Sequence, residues 1–351
     1  MVPDGYMATE QDILTDAQIR QVLAQYPVGR VQAIEEFTRG SRKSPKFVVT
    51  TDGGQFLLKR RARGKDDPIK VAFAHSLQNY LARRQFPLPH LIGTKVDNNS
   101  MLRWNGWIFE LFEYVEAEPY DGSLDSTYHA GRALAMYHKL VREYEAQWVP
   151  PHGSYHDSDP VRNGLNAIPT TLSAHESVQG REAEVLSAVQ QVREVYDHAA
   201  GAANSLGLQR WQLQIVHSDY HPGNVLFRGR RVAAVLDFDA ARIQPRVTDV
   251  ANGTLQFAII GGQDPTEWPE FFDETRIKRF LRGYDEIDTL TVAELRAIPP
   301  LMIEALVAEA VVPIAATGSF GDLAGFGFLQ MVRRKATWLA RNADRLGNLL
   351  E

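Results

Sequence analysis

Apolar positions fall into short, closely packed runs over the first third of the chain and recur at helical spacing afterwards. The runs VQAIEEF (31–37), KFVVTT (46–51) and QFLLKRR (55–61) are rich in β-branched and aromatic residues. Asp52-Gly53-Gly54 joins the second to the third, a strong hairpin signal. GWIFELFEYV (106–115) reads as a further buried strand. Two helices punctuate this region. Residues 15–26 place Ile19, Val22 and Leu23 on one stripe behind Thr15 as N-cap, with Gln18 as its capping-box partner. Residues 68–84 carry Pro68 early and Val71, Leu77 and Leu81 on the apolar face.

After Tyr120 the period changes. Segments 126–141 and 180–204 predict helices, and the chain from about 248 onward is mostly helical. Three short β-type runs interrupt this pattern at 213–216, 225–228 and 232–236. The proline-bearing stretch 149–173 reads as irregular. The expected architecture is α+β and bilobal. A β-rich N-lobe spans 1–112, and a mainly helical C-lobe, entered through a connection near 113–116, spans 113–351.

A length of 351 residues fits two lobes better than one core. A net charge of −5 argues against a nucleic-acid partner. The absence of cysteine removes disulfides, thiolate metal sites and a cysteine nucleophile, and fits a reducing, cytoplasmic setting. The N-terminus lacks the basic start and apolar stretch of a secretory signal. The apolar run 303–316 is broken by Glu304, Glu309 and Pro313, so a core helix is expected rather than a membrane span. Met302, Met331 and Trp338 read as core, and the basic run 333–335 as a solvated helix face. Oligomeric state is not legible at this level.

The chemistry is concentrated in IVHSDYHPGNVLF (215–227), a polar loop pinned between two apolar runs. Asp219 precedes Asn224 by five residues, and Asp237 follows in VLDFDAAR. A hairpin of 225–228 and 232–236, turned at Gly229, returns the chain and brings Asp237 beside Asn224. An amide oxygen and a carboxylate side by side suit a hard cation such as Mg²⁺, whose shell is completed by water and phosphate. Asp219 is then free to take a proton from a hydroxyl. Those are the parts that phosphoryl transfer needs.

H-x-D-x-x-x-x-N followed by D-F-D resembles the catalytic and metal-binding segments of the aminoglycoside phosphotransferase/choline kinase superfamily, which has a protein-kinase-like fold. His221, Pro222 and Asp249 match that pattern, as do Gly131, Leu134 and His138 in GRALAMYHKLV and Lys59 in FLLKRR. The resemblance implies an ATP-dependent phosphotransferase with Asp219 as base, Asn224 and Asp237 holding Mg²⁺, Lys59 on the nucleotide phosphates, and Glu113 to Val115 as a hinge facing adenine. It also implies bracing roles for His217 and Asp249. His221 is open between loop support and substrate contact, and Asp239 between metal support and loop support. The run FPLPHLIGT (86–94) is similar to the subgroup of type II homoserine kinases and a bacterial stress-response kinase acting on serine and threonine.

Two places depart from the family. The loop TRGSRKSPK (38–46) has one glycine, so Gly40 and Ser41 stand in for a glycine-rich phosphate loop, with Arg39, Arg42 and Lys43 adding charge. Helix 68–84 has no acid to orient Lys59; the aligned position is Ala74 or His75. Either a carboxylate comes from elsewhere, or Lys59 meets phosphate unaided, or activity is weak. The expected acceptor is a small-molecule hydroxyl: an amino alcohol, a sugar or an aminoglycoside, with Asp239, Glu304 and Glu309 as candidate partners for an amine. Alternatives are a serine/threonine protein acceptor, a nucleotide-binding pseudoenzyme, or a zinc hydrolase built on His217, Asp219 and His221.

Overall fold

Thr15 and Gln18 open helix α1 (Asp16–Leu23) by exchanging side-chain-to-backbone hydrogen bonds of 3.2 and 2.9 Å, the expected capping box. The computed structural model describes residues 14–38, 43–175, 178–262 and 264–350, so Gly40, Ser41, Arg39 and Arg42 lie outside the described residues. Strands β1 (Val31–Glu36), β2 (Lys46–Thr51) and β3 (Gly54–Arg60) follow, then helix α2 (Pro68–Arg83), β4 (Leu102–Trp104) and β5 (Trp107–Glu113). The five strands form one antiparallel sheet in the order β1-β2-β3-β5-β4.

Strand alternation gives the sheet two unlike faces. Val49, Leu58, Phe109 and Leu111 point to one side and bury against Ile19, Val22 and Leu23 of α1. Lys59 and Glu110 lie between those apolar positions and therefore occupy the opposite face. Helix α2 is capped by Asp67, whose carboxylate accepts from the Ile69 N–H at 2.9 Å. Its Phe73, Leu77 and Leu81 do not serve the small cluster on the sheet. They join the larger core formed by the rest of the chain.

That larger part contains α3 (Leu124–Val141), α4 (Asp159–Ser173), α5 (Glu182–Ser205), β6 (Leu213–Val216), β7 (Val225–Arg228), β8 (Arg231–Val235), β9 (Arg242–Pro245), α6 (Arg246–Ala258), α7 (Glu274–Asp285), α8 (Val292–Thr317), a small ribbon of β10 (Ser319–Phe320) and β11 (Leu323–Ala324), and α9 (Gly325–Leu350). Helices α3 and α7 meet through two glycines. A Cβ on Gly131 would stand 2.0 Å from the Phe280 carbonyl oxygen, and one on Gly283 would stand 2.0 Å from that of Tyr128. Helix α8 is long and apolar enough to cross a membrane, but 83% of its apolar window is buried inside the fold. Its hydrophobicity serves the core, with Met302 and Met331 among the buried residues.

Two expectations are corrected. The stretch 149–173 is not irregular throughout, because α4 occupies its second half. Val161, Leu165, Ile168 and Leu172 make a buried helical stripe, and Pro160 sits in the first turn, where a missing N–H costs nothing. The basic run 333–335 is not a solvated face. Lys335 is fully buried, its ammonium 3.3 Å from the Phe271 carbonyl oxygen and 4.6 Å over the Phe272 ring. Burial pulls its pKa down to about 8. Arg334 reaches the Thr266 carbonyl at 3.0 Å, so this run holds down the segment before α7.

Candidate active site

The loop from His217 to Asn224 links β6 to β7, and its backbone is held from below by one carboxylate. Asp249 of α6 accepts from the His217 N–H at 2.8 Å and the Ser218 N–H at 2.9 Å. Ser218 adopts φ 63°, a left-handed conformation that an L-residue keeps only when its surroundings hold it there. Asp249 is 1% exposed and is approached by His138 Nε2 at 3.1 Å, while His138 Nδ1 meets the Tyr284 hydroxyl at 2.8 Å. Burial alone would raise the Asp249 carboxyl. The hydrogen bond from His138, the nearby imidazoles and the loop amides bring it below the ordinary range instead.

His217 is wholly buried, and both ring nitrogens are engaged: Nε2 with the Leu236 carbonyl oxygen at 3.0 Å and Nδ1 with the Asp219 N–H at 3.3 Å. Burial depresses its pKa against the pull of Asp249. Committed in this way, the ring is not available as a metal ligand, which removes one of the three groups the zinc reading requires.

Asp219 emerges at the top of the loop with its side chain 45% exposed. Asn224 donates through Nδ2 to both the Asp219 carbonyl oxygen (3.0 Å) and its carboxylate Oδ2 (2.9 Å). This fixes the Asn224 amide and turns its oxygen away from Asp219. His221 Nδ1 accepts from the Gly223 N–H at 3.0 Å, and its Nε2 lies 3.6 Å from Asp219 Oδ1. The hairpin of β7 and β8 turns at Gly229 (φ 59°) and pairs Val225 with Val235. The Leu236 N–H then bonds the Asn224 carbonyl at 2.8 Å, which brings the following residue, Asp237, alongside Asn224. Asp237 has φ 60°, the second strained non-glycine conformation at this site.

Above the loop, the charged face of the sheet carries a compact network. Lys59 Nζ lies 3.4 Å from Asp239 Oδ2 and 3.7 Å from Glu110 Oε2. Arg61 bridges the same two acids, at 2.6 Å to Asp239 and 2.7 Å to Glu110. Burial would lower the Lys59 ammonium, but Glu110 and Asp239 outweigh it and its pKa is raised. In place of an acid on α2, Lys59 has carboxylates beside it from β5 and from Asp239, and Asp239 pairs with both cations. At the end of β5 the Glu113 side chain turns outward to His90, at 3.3 Å, with both residues exposed. The Glu113 and Tyr114 N–H groups are taken by the His90 and Gln55 carbonyls.

A family model described as the phosphotransferase enzyme family matches residues 33–295. The chain belongs to that family. This phosphotransferase is 24% identical over 299 residues to a homoserine kinase of Granulibacter bethesdensis, covering 82% of each chain. It is 25% identical over 297 residues to the homoserine kinase of Gluconacetobacter diazotrophicus, covering 84% of each. Among solved structures, a microcompartment-associated aminopropanol kinase superposes with a TM-score of 0.69 at 13% identity, over 96% of this chain and all of that one. An aminoglycoside phosphotransferase from Alicyclobacillus acidocaldarius gives 0.66 at 15% identity, over 97% of each. The kinase-like fold and the enzyme class expected from the residues both stand.

Three members of the phosphotransferase's charged network were not singled out as site residues: Glu110, Arg61 and His75. A signal for the first was present, since a glutamate at the centre of WIFELFE cannot be buried without partners. Glu304, a candidate for an amine, is fully buried and committed to His156 (2.9 Å) and the Asp157 N–H (2.8 Å). Glu309 differs. It is exposed on α8, accepts from Gln256 of α6, and feels the charges of His221 and Asp219. Desolvation by the protein packed around its carboxyl, with the charge of Asp219, raises it above the ordinary range against the Gln256 hydrogen bond.

Proposed function

We propose that this phosphotransferase moves the γ-phosphate of ATP to the hydroxyl of a small amine-bearing alcohol. The observation that carries the reading is the Asp219–Asn224 pair at 2.9 Å on a loop doubly anchored by Asp249. Asp219 is the one carboxylate of the loop itself, half exposed, and its Oδ1, with His221 Nε2 at 3.6 Å, is the oxygen left to accept a proton from an incoming hydroxyl. The acceptor oxygen attacks the γ-phosphorus, the bond to the β,γ-bridging oxygen breaks, ADP leaves, and the proton passes to Asp219. A positioned base contributes about 10²–10⁴-fold, with orientation and charge neutralisation supplying most of the remainder.

The donor set fits a magnesium ion. Asn224 and Asp237 offer hard oxygens from adjoining backbone, the Leu236 N–H bonding the Asn224 carbonyl at 2.8 Å just before Asp237. An ion held by two protein groups and completed by phosphate oxygens suits that geometry. Mg²⁺ there would neutralise phosphate charge. Lys59 would meet the nucleotide phosphates from the sheet, and the backbone of Glu113 to Val115 would face adenine.

Glu309 supports an acceptor with an ammonium group, because an accessible carboxylate in electrostatic range of Asp219 would hold the cation while the hydroxyl reaches the base. The homoserine kinases and the aminopropanol kinase act, by name, on compounds that join an amine to an alcohol. A panel of primary alcohols with and without an amine, scored by ADP release and phosphorylated product, tests this. Amine-bearing alcohols should be preferred, and Glu309→Gln should raise their KM about tenfold while sparing that for ATP. Label transferred only to protein, or equal use of neutral alcohols, would overturn the acceptor assignment.

A further inference from the structure

Cross-strand register decides one of the two carboxylate contacts of Lys59, the other being Asp239 at 3.4 Å. Lys59 of β3 stands directly opposite Glu110 of β5, and neighbours so placed have Cβ atoms roughly 4.5–5.5 Å apart whatever the helices do. Glu110 is fully buried. Its Oε1 is engaged by Arg61 and by His75 Nε2, the latter at 2.6 Å. Its Oε2 has no hydrogen-bond partner and faces Lys59 at 3.7 Å. His75 comes from α2 and is itself held through Nδ1 by the Ser100 hydroxyl at 2.8 Å. With the carboxylate as acceptor, Nε2–H donates to Glu110 Oε1.

We infer that Glu110 is the positioning residue for Lys59, and that His75 replaces the usual helix acid by gripping Glu110 rather than the lysine. The helix thus contributes an imidazole one step removed from the cation. Sheet pairing sets the separation of the two backbones, and His75 fixes which way the carboxylate points, so register and imidazole together aim Oε2 at Lys59. The helix is fastened: the Tyr80 hydroxyl bonds the Leu140 carbonyl at 2.9 Å and the Tyr144 hydroxyl bonds Ser76 at 3.0 Å. Lys59 is therefore aligned before nucleotide arrives, without a helix movement to complete the site.

This inference rests on Lys59 meeting the nucleotide phosphates, and the test separates the two. Affinities for ATP and for adenosine, KM for the acceptor, and thermal midpoint are measured on the full chain. Lys59→Ala should weaken ATP about tenfold or more and leave adenosine unchanged; equal loss for both, or none, removes the phosphate reading itself. Glu110→Gln should reproduce the selective loss for ATP, and a second substitution, His75→Glu, should restore part of it by returning a carboxylate to the helix. A folded Glu110→Gln with wild-type ATP affinity, alongside an impaired Lys59→Ala, overturns the inference alone. Should Glu110→Gln fail to fold, His75→Leu carries the test. It should weaken ATP about threefold to tenfold with acceptor KM unchanged, and His75→Gln, which keeps a donor, should recover most of that. Unchanged ATP affinity in folded His75→Leu overturns it.

Discussion

Asp219 and Asp237 sit eighteen residues apart in sequence and are asked to do different work. Replacing Asp219 by Asn keeps the shape and the bond to Asn224 but removes the proposed proton acceptor. Turnover should fall by about 10²–10⁴-fold with ATP affinity preserved. Asp237→Ala removes the proposed cation ligand, so it should lose both turnover and metal-dependent nucleotide binding. Steady-state kinetics and titration calorimetry on the pair distinguish the roles, and near-normal turnover in Asp219→Asn would falsify the base assignment. These residues were legible in the sequence because loop and hairpin are local: five residues and a short β-ribbon leave little freedom in where the side chains arrive. Glu110 was not legible. Its partnership with Lys59 joins positions 51 apart in sequence, and nothing along the chain says which strand will lie beside β3.

At the scale of elements, helices are tied by charges as well as by packing. Asp288, after α7, takes Arg142 at the C-terminal end of α3 and Arg246 of α6 together, the latter at 2.5 Å. Burial would raise the Asp288 carboxyl, but hydrogen bonds from the two arginines lower it overall. A carboxyl depressed in the folded state stabilises it above the unfolded value of about 3.9 and loses that contribution as pH falls through the folded value. Asp288→Asn should therefore cost about 1.5–3 kcal/mol at pH 7, and the gap to wild type should shrink below about pH 4. Urea midpoints across pH 3–7 check this; a gap that is constant with pH would assign the loss to packing. Most elements followed from period and caps, as α1 and the β2–β3 hairpin show. Helix α4 did not, because its prolines mimic a loop until its buried stripe finds α5 and α8 to pack against. Lys335 misled for a related reason. A lysine on a helix is normally solvated, and only the arrival of the Phe271–Phe272 segment buries it.

Across the whole molecule, nucleotide and metal should act as a brace between the charged face of the sheet and the loop below it. A ligand bound only by the folded state at a hundred times its Kd adds about 2.7 kcal/mol. Mg-ATP should accordingly raise the thermal midpoint by a few degrees. Chelation of the metal should remove most of that rise, and Asp237→Ala should be insensitive to the chelator. A shift identical with and without metal would detach Asp237 and Asn224 from the cation.

What the sequence determined by itself is the chemistry confined to neighbours: the β-to-α change of period, the capped helices, and the loop and ribbon that gather Asp219, Asn224 and Asp237. These depend on backbone geometry over a few residues, where the chain has little choice. What only the tertiary structure decided is the pairing of distant groups: Glu110 with Lys59 and His75, Asp239 with Arg61, and Glu309 with Gln256. A buried charge takes whichever opposite charge the packing delivers, and that delivery is settled by strand order and helix docking rather than by spacing along the chain.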